Sequence, residues 1–579
     1  MKRSGGYRYV VTLKNKSDLD DFYSEMESSN GTENIPNRKV QCLLKRPISR
    51  STHYQLTDEE ASKLKNDDRV SDVQEPYYNR GIKLGIDWDE PQSGNWDKIP
   101  DAAQDKNWAL KRCIDAEQTP NWGTDGTPQQ STTVNTTSSG KNVDVVIVDE
   151  HINFDHPEFA VNPDGTGGSR AIQFNWFQYS EALGYNTEAD YTYTGSGSHA
   201  THVAGTAAGN TQGWARDANI YNISFHKDYV AGNPPDWSEM VFDYIREFHK
   251  NKPINPATGR KNPTIVNNSW SSHWYTIYTY YNPAGWLVSF SKYRGNETNV
   301  TGNSAERKQI LEQRGISVGF HNSEKGWYIN KLPARDSEID NDAIDMIDDG
   351  IIVVAAAGNS LMPMDVPGGN DYDNYINATV EIFFFGRWMT ISISEIYPNR
   401  GASPGAAEGV ICVGDISAKV AEYKAQMSNF EERVDVWAPG TNIMSSVYNS
   451  SPGDGYSNVR EDPRNSSYFN ASTQGTSMAS PQIAGLLACL AEQWPTMNQA
   501  DALQFLKEGS KSQVGNNLPA GNSVTQWPYE AFGDGNNRYV HYVYKRPQTG
   551  TVYPHNNYAN RNENTSGIKY PRPRYTVTK

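Results

Sequence analysis

Short runs of β-branched and small apolar residues most constrain how this chain can fold. They occupy residues 143–148, 264–267 and 350–357. Runs of this length and composition are typical of strands that are buried on both faces of a parallel sheet. In α/β folds the functional side chains lie at the carboxyl ends of such strands. Asp149 follows the first run and Asn359 comes shortly after the third, so both are candidate functional residues.

The stretch Gly-Thr-Ser-Met-Ala-Ser-Pro at residues 475–481 precedes a small, apolar run at residues 482–490. The apolar run predicts a buried helix, and the stretch places Ser477 at its start. A helix N-terminus presents unpaired N–H groups and a partial positive charge. This environment suits a nucleophilic serine, because negative charge develops beside it during acyl transfer. The short pattern is equally compatible with a core helix that serine and threonine merely cap.

A serine nucleophile needs a general base, and the base needs an orienting carboxylate. The stretch Gly-Ser-His-Ala-Thr-His at residues 197–202 offers His199 as the base, with His202 beside it. The pair is also a candidate zinc site, but no Glu separates the two histidines and no Cys lies nearby, which disfavours zinc. Asp149 is the candidate carboxylate, although an aspartate that ends a strand can simply cap a turn. The amide of Asn359 can hold the oxyanion of a tetrahedral intermediate.

These motifs together resemble those of the subtilisin-like serine proteases, the subtilases. The matching stretches are the serine stretch 475–481, the histidine stretch 197–209 and the His-Pro-Glu-Phe sequence that follows Asp149. Ala200 departs from the pattern, because the family usually has glycine there. The order aspartate, histidine, serine is that of subtilisin, whereas chymotrypsin and the α/β-hydrolases have other orders. The resemblance covers roughly residues 105–530, with large insertions.

The resemblance implies a three-layer α/β/α sandwich with a mostly parallel sheet, and a serine endopeptidase that cleaves polypeptides through an acyl-enzyme. It implies that Asp149, His199 and Ser477 form the catalytic triad and that Asn359 binds the oxyanion. It also implies that the substrate backbone pairs with strand edges of the enzyme. The residues thereby assigned to substrate binding are Asn267, Asn268, Ser269, Trp270, Ser271, Ala356, Ala357 and Gly358. Ordinary packing remains the alternative for Ser269 and Trp270.

Residues 1–80 carry strand and helix signals in the order β-α-β-β-α-β, which predicts a small ferredoxin-like α+β domain. Thr57 and Glu60 have the spacing of a capping box at the start of its second helix. Residues 54–76 resemble the inhibitory propeptide of subtilases, and an unrelated small domain is the alternative. The resemblance implies that this domain is an intramolecular inhibitor, which the enzyme removes by processing itself.

The remaining organisation follows from shifts in composition. Insertions are predicted near residues 272–335 and 361–396, the second of them as an added hairpin. The last segment is basic and rich in Asn, Tyr and Pro, which is compatible with a strap that docks on a partner or particle and equally with a disordered end. The predicted segments are the N-terminal domain 1–80, a linker and surface wrap 81–142, the catalytic domain 143–532 and the tail 533–579.

Composition limits the partners and the compartment. The net charge of −15 argues against general nucleic-acid binding. No apolar signal segment or bilayer-length run is found, so we expect no membrane contact and an intracellular or particle-associated location. No cofactor is expected, since the calcium-loop residues of many subtilases are not recognisable in residues 209–215. The alternative from another functional class is a catalytically idle subtilase fold that serves as a structural or binding module.

Overall fold

The computed structural model contains an N-terminal domain and a larger α/β domain. The N-terminal domain has one apolar core, and the larger domain has a core on each face of its sheet. The structure describes residues 6–36, 38–76, 82–85, 108–114, 133–136, 138–185, 187, 189–193, 197–226, 230–231, 237–277, 287–299, 320–322, 327–384, 387–416, 424–425, 427–512, 538–541 and 575–578.

The N-terminal domain is a four-stranded antiparallel sheet that packs with two helices. Its elements are β1 (Tyr7–Leu13), α1 (Leu19–Met26), β2 (Gln41–Leu44), β3 (Ser51–Leu56), α2 (Asp58–Leu64) and β4 (Val70–Gln74). The strand order is β2-β3-β1-β4, so the predicted ferredoxin-like fold is confirmed. The capping box is confirmed as well: the Thr57 hydroxyl accepts from the Glu60 N–H at 3.2 Å, and the Glu60 carboxylate accepts from the Thr57 N–H at 2.8 Å.

The segment between the two domains contains more structure than the sequence predicts. Its described elements are β5 (Ile82–Gly85), α3 (Trp108–Ile114) and β6 (Thr133–Thr136). Helix α3 packs into the core of the larger domain, where the indole N–H of Trp108 donates to the carbonyl of Thr441 at 3.2 Å. A helix of seven residues is too short to show the apolar period on which a sequence-based prediction depends.

The larger domain is built on a central sheet whose first strands alternate with helices. The elements of this part of the chain are β7 (Asp144–Asp149), β8 (Ala171–Ile172), β9 (Thr192–Tyr193), α4 (Ser198–Ala208), β10 (Asn219–Ser224), β11 (Val230–Ala231), α5 (Trp237–Asn251) and β12 (Thr264–Asn268). Strands β9 and β11 form a separate two-stranded sheet. Every residue of β7 and β12 is buried, as predicted for strands covered on both faces. Along β7, Val145 and Ile147 join one apolar core, whereas Val146 and Val148 join the other.

The insertions add strands outside the central sheet. The elements of residues 271–396 are β13 (Ser271–Ile277), β14 (Leu287–Tyr293), β15 (Asn296–Asn299), β16 (Phe320–Asn322), β17 (Trp327–Pro333), α6 (Ser337–Asp348), β18 (Ile352–Ala356), β19 (Tyr375–Phe384) and β20 (Arg387–Ile396). Of these, α6 and β18 lie between the two insertions and belong to the central sandwich. Strands β19 and β20 pair in antiparallel register, which confirms the predicted hairpin. Strands β14 and β15 extend this hairpin to a four-stranded sheet, so the two insertions pack together.

The remaining elements include the last strands of the central sheet and a separate three-stranded sheet. They are β21 (Ile411–Ile416), β22 (Val436–Pro439), β23 (Ile443–Val447), β24 (Ser457–Asp462), β25 (Asn465–Thr473), α7 (Thr476–Gln493), α8 (Gln499–Gly509), β26 (Ser510–Ser512), β27 (Arg538–His541) and β28 (Tyr575–Thr578). The described parts of the basic tail therefore carry strands, of which β27 joins the central sheet and β28 pairs with β6. The separate three-stranded sheet consists of β23, β24 and β25.

The central sheet has the order β26-β27-β22-β21-β18-β12-β7-β10-β8, and its strands are parallel from β27 to β8. Helices α4 and α7 cover one face and α5 and α6 the other. This arrangement is the predicted α/β/α sandwich. In the described part of the chain, no helix combines the length and the apolar character needed to cross a bilayer.

The N-terminal domain rests on α5 and α6 through a buried ionic cluster. Arg46, in the loop between β2 and β3, has no exposed side-chain surface. Its guanidinium donates to Asp243 at 2.9 Å, to Glu338 at 2.8 Å and to Asp342 at 2.7 Å. The ring of His53 lies 2.7 Å from the same Glu338 carboxylate. Burial alone would raise the pKa of Glu338, but His53 and Arg46 lower it to about 2, so this carboxylate is ionised at the interface.

Helix α6 is only partly oriented as the sequence predicts. The apolar period predicts Ile339, Ala343, Ile344 and Ile347 on its inward face. Ile339 and Ala343 are buried in the core and Ile347 packs partly against it, but Ile344 is only half-buried and lies outside the core. Met346 takes the remaining core position. The prediction for Ile344 is therefore wrong, because the N-terminal domain also covers this helix and the inward face is not its only buried face.

Candidate active site

The four predicted catalytic residues occupy the ends of strands and the starts of helices at one region of the central sheet. Asp149 ends β7 and Asn359 follows β18, while His199 and Ser477 lie in the first turns of α4 and α7. All four are buried, with at most 5% of the residue surface exposed. Direct hydrogen bonds link Asp149 with His199, and the other two residues bond to neighbours within the same region.

The imidazole of His199 is oriented by Asp149. Its Nδ1 atom lies 2.9 Å and 3.1 Å from the two carboxylate oxygens of Asp149. A proton on Nδ1 leaves Nε2 as the acceptor of the neutral ring. Helix α4 packs closely against β23 because its residues are small. A Cβ atom at Gly205 would lie only 2.3 Å from the Ser445 hydroxyl on β23. The fold therefore holds His199 in the orientation that a general base requires.

His202 lies one turn further along α4 and is held by the backbone of β23 and β25. Its Nε2 atom lies 2.9 Å from the carbonyl oxygen of Ile443, to which it donates. Burial lowers the pKa of His202 to about 3, so the ring is neutral. Among the residues that the structure describes, no group of three or more His, Cys, Asp and Glu side chains is placed to hold a metal ion. His202 thus has the geometry of a structural histidine.

Ser477 is tied to the end of β12 by reciprocal hydrogen bonds. Its hydroxyl donates to the carbonyl of Ser269 at 3.0 Å, and the Ser269 hydroxyl donates to the carbonyl of Ser477 at 2.9 Å. Gly475 precedes the helix with a φ of 132°, a conformation that favours glycine. The Ser477 hydroxyl must leave the Ser269 carbonyl before it can give its proton to another acceptor.

Asn359 is held by Thr476, the residue before Ser477. The side-chain oxygen of Asn359 accepts from the Thr476 N–H at 3.0 Å and from the Thr476 hydroxyl at 2.8 Å. The same hydroxyl accepts from the N–H of Gly358 at 3.1 Å. These bonds fix the oxygen end of the amide and direct its NH₂ group away from Thr476. No role for Thr476 is predicted from the sequence, although its place in the serine stretch is an available signal.

The predicted substrate-binding residues on β12 and β13 are mostly internal. Asn267 donates to the Ser269 hydroxyl at 2.9 Å, Asn268 donates to a carbonyl of β18, and both side chains are fully buried. The indole of Trp270 stacks on Phe225 with ring centroids 4.8 Å apart. These side chains shape the end of β12, and direct contact with a substrate stays a prediction for them.

The second group of predicted substrate-binding residues ends β18 beside this segment. Ala356 and Ala357 are buried, and Gly358 follows with a φ of 95°. A Cβ atom at Gly358 would lie 2.7 Å from the side-chain nitrogen of Asn429 and 3.8 Å from the hydroxyl of Ser271. The ends of β18 and β12 therefore lie close together, and their substrate-binding role also stays a prediction.

A strand from the segment after the N-terminal domain lies along β13. Strand β5 pairs with it in antiparallel register, with Gly85 opposite Ser271 and Ile82 opposite Trp274. Ser271 is two residues from Ser269, whose carbonyl accepts the Ser477 hydroxyl. The chain's own backbone thus adds a strand, β5, to the edge of β13, and β5 runs toward the candidate nucleophile.

Glu150 is a second buried carboxylic acid at this site, and it is not among the site residues predicted from the sequence. Only 8% of its surface is exposed. Burial and the negative charge of Asp149 raise the pKa of Glu150 to about 7. The available signal was its position directly after Asp149, since two adjacent acids at the buried end of a strand are costly without a function or a strong partner.

Comparisons with known proteins identify similar sequences and folds. The sequence model described as "Subtilase family" matches residues 140–524. The chain is 24% identical over 369 residues to "Subtilisin-like serine protease pepC" of Aspergillus niger, covering 63% of this chain and 44% of that protein. It is 25% identical over 368 residues to "Subtilisin-like serine protease Cla h 9.0101" of Davidiella tassiana, covering 64% and 46%. The chain thus spans less than half the length of these two relatives.

Two solved structures are similar to the chain at low sequence identity. A cold adapted subtilisin-like serine proteinase has 17% identity and a TM-score of 0.36, covering 71% of this chain and 93% of that chain. Fervidolysin from Fervidobacterium pennivorans, a keratinolytic enzyme related to subtilisin, has 16% identity and a TM-score of 0.44, covering 88% and 58%.

Proposed function

The chain belongs to the subtilase family, whose sequence model covers more than half of it, and on this basis we propose that it is a serine endopeptidase. The observation that carries the proposal is the contact of 2.9 Å between Asp149 and the Nδ1 atom of His199, in a buried site that also contains Ser477 and Asn359. A hydroxyl, an imidazole held by a carboxylate and an amide donor are the groups that acyl transfer requires.

In the proposed mechanism, the peptide backbone of the substrate lies along β13 and presents its carbonyl carbon to Ser477. The Ser477 hydroxyl rotates away from the Ser269 carbonyl and gives its proton to Nε2 of His199 as it attacks. Asp149 stabilises the imidazolium that results. The NH₂ group of Asn359 donates to the oxyanion of the tetrahedral intermediate. His199 then protonates the leaving amine, and water hydrolyses the acyl-enzyme by the same route.

A serine-directed fluorophosphonate probe tests this proposal. We expect the probe to label wild-type protein in a time-dependent manner, and peptide mapping to place the adduct on Ser477. Ser477→Ala should remain unlabelled under the same conditions. If the wild-type protein is folded, cleaves no polypeptide and takes up no probe, the chain is the catalytically idle binding module that the sequence leaves as the alternative.

We also propose that the N-terminal domain is an intramolecular inhibitor and that the enzyme removes it. The antiparallel pairing of β5 with β13 supports this, because β5 lies where the proposed mechanism requires substrate backbone. The buried cluster around Arg46 supports it further, since it holds the domain against the catalytic domain. The bond that is cleaved is expected to lie within a few residues after Gly85.

Thr476→Val is expected to lower kcat about tenfold and to leave KM nearly unchanged. The valine keeps the shape of threonine but removes the hydroxyl that orients Asn359, and it leaves the N–H of Gly358 without that acceptor. Losing such a bond costs about 1–3 kcal/mol, and about 1.4 kcal/mol corresponds to a factor of ten. Steady-state kinetics on a chromogenic peptide provide the measurement.

Thr206→Val is the matched control for this variant. The Thr206 hydroxyl bonds to the carbonyl of His202 inside α4 and is equally buried, but it does not touch the oxyanion donor. We expect its kcat to stay close to the wild-type value. An equal loss of kcat in both variants would mean that the effect of Thr476→Val is one of general packing.

We propose that the loop after α4 is held by protein groups and needs no metal ion. Glu158 is fully buried and accepts from the N–H groups of Thr211 and Gln212 at 3.0 Å and 3.1 Å. The guanidinium of Arg464 pairs with the same carboxylate at 2.5 Å. Burial would raise the pKa of Glu158, yet Arg464 and Thr211 hold it below its usual range. The carboxylate therefore already has a cationic partner.

Exhaustive chelation is accordingly expected to leave the melting temperature and the peptidase activity unchanged. Arg464→Gln should lower the free energy of unfolding by about 2 kcal/mol. The reason is that the buried carboxylate of Glu158 loses its cationic partner, and its other partners are neutral. Calorimetry of the wild-type protein and of the variant, each with and without chelator, measures both effects. Loss of the fold or of activity on chelation would refute the proposal and would reopen a metal role for His199 and His202.

A further inference from the structure

Glu150 directly follows Asp149 at the end of β7, and it also contacts α4, the helix that carries His199. Its backbone N–H donates to a carboxylate oxygen of Asp149 at 2.8 Å. Its backbone carbonyl accepts from the side chain of Asn222 at 2.9 Å, which fixes this turn to β10. Its side-chain carboxylate accepts a hydrogen bond from the backbone N–H of His199. One residue thus bonds to both members of the Asp149–His199 pair.

The carboxylate of Glu150 also closes the start of α4. Gly197 is the residue at the N-terminus of this helix and supplies no side-chain cap. A Cβ atom at Gly197 would lie 1.8 Å from a carboxylate oxygen of Glu150, so glycine is required for the acid to reach the helix end. An oxygen that accepts from a first-turn N–H does the work of an N-cap, and a negative charge there is favoured by the helix dipole.

The groups that face Glu150 set its charge. Burial and the adjacent Asp149 disfavour its ionised form, while His199 favours it, and the pKa of Glu150 rises to about 7. The phenol of Tyr456, just before β24, faces the same pair of acids, and burial with these negative charges raises its pKa far above its usual range. Tyr456 therefore stays neutral while Glu150 changes charge near neutrality.

We propose that Glu150 is a positioning residue for His199, which fixes the start of α4 and adds a titratable negative charge beside the Asp149–His199 pair. This inference rests on the proposed peptidase function and extends it to the pH dependence of the same site. When Glu150 is ionised, its charge favours the imidazolium form of His199. When it is protonated, or replaced by a neutral residue, the imidazolium loses that support and His199 releases its proton at lower pH.

Glu150→Gln removes the negative charge of the Glu150 side chain but keeps its ability to cap the start of α4. Glutamine keeps an oxygen that can accept from the His199 N–H, but it cannot ionise. We expect the acid limb of the pH profile of kcat/KM to move to lower pH by about one unit. The reason is that a charge within about 4–6 Å shifts a pKa by about 1–3 units, and Glu150 is only partly ionised near pH 7. Glu150→Ala removes the cap as well, so its profile should show the same shift, with kcat/KM about fivefold lower than that of Glu150→Gln at every pH.

Asp155→Asn is the matched control, because Asp155 is an exposed acid in the same loop. Its pH profile should superimpose on that of the wild-type protein. A profile for Glu150→Gln that also superimposes on wild type would overturn the proposal and leave Glu150 with a purely structural role. A shift of equal size in both variants would mean that general charge, and not this contact, determines the profile.

A second measurement makes the test independent of activity. In full-length protein that carries Ser477→Ala, the NMR titration midpoint of the His199 ring is compared with and without Glu150→Gln, and His199→Gln identifies the resonance. We expect the midpoint to fall by about one unit in the double variant. An unchanged midpoint contradicts the inference. If the wild-type protein cleaves nothing while this shift occurs, the proposed function has failed and the contact between Glu150 and His199 stands.

Discussion

Ser477→Ala is expected to abolish self-processing and to lower peptide turnover about 10⁶-fold. Loss of the nucleophilic serine of a subtilisin has an effect of this size. Intact mass spectrometry over time provides the measurement. Wild-type protein should lose an N-terminal fragment that ends within a few residues after Gly85, whereas Ser477→Ala should keep its full mass. The reason is that β5 already lies along β13, so the bond that follows it is the first peptide bond offered to the nucleophile.

Ser180→Ala is the matched control for the loss of a buried hydroxyl. Ser180 is buried and bonds to the phenol of Tyr244 at 2.7 Å, away from the candidate site. This variant should be processed at the wild-type rate. If Ser477→Ala loses the same fragment, another protease cuts the chain. If wild-type protein takes up the serine probe but is never cut, Ser477 is a nucleophile and the proposal that the N-terminal domain is removed by self-processing fails.

The sequence predicts the central part of the fold because that part is encoded locally. Strand β7 is a continuous apolar run, and its alternate residues do enter the two cores on opposite faces of the sheet. Asp149 ends one buried strand and Asn359 follows another, so their placement at strand ends needed only the boundaries of those strands. Ser477 follows a glycine that has the backbone conformation a tight entry into a helix requires. Each of these signals lies within about ten residues of the side chain that it predicts.

The sequence does not predict contacts whose partners are distant in the chain. Glu338 and Asp342 belong to an acidic helix, and acidic side chains are normally exposed to water. They are buried because Arg46, which lies almost three hundred residues earlier, reaches them from the N-terminal domain. Trp108 is a comparable case, since its partners belong to the loop before β23. Charge complementarity between the basic loop around Arg46 and α6 was the available signal, but it does not specify which residues meet.

Arg46→Ala is expected to weaken the attachment of the N-terminal domain by about 3–5 kcal/mol. The substitution leaves Asp243, Glu338 and Asp342 buried without the cation that all three share, and removing one partner of a buried ion pair has this cost. The full chain with Ser477→Ala keeps the two domains covalently joined. In that background, hydrogen exchange of β3 and α6 should become faster by a factor of at least one hundred, and the domain should unfold at lower urea concentration.

Arg69→Ala separates this effect from the loss of an ordinary ion pair. Arg69 also pairs with two carboxylates, at 2.8 Å from Glu25 and 3.0 Å from Asp67, but all three lie within the N-terminal domain and are partly exposed. Its removal should cost no more than about 1 kcal/mol. Arg46→Lys should fall between the two, because an ammonium keeps the charge but cannot reach three carboxylates at once. Equal effects of Arg46→Ala and Arg69→Ala would mean that apolar packing holds the N-terminal domain, and release of the domain would then not depend on opening this cluster.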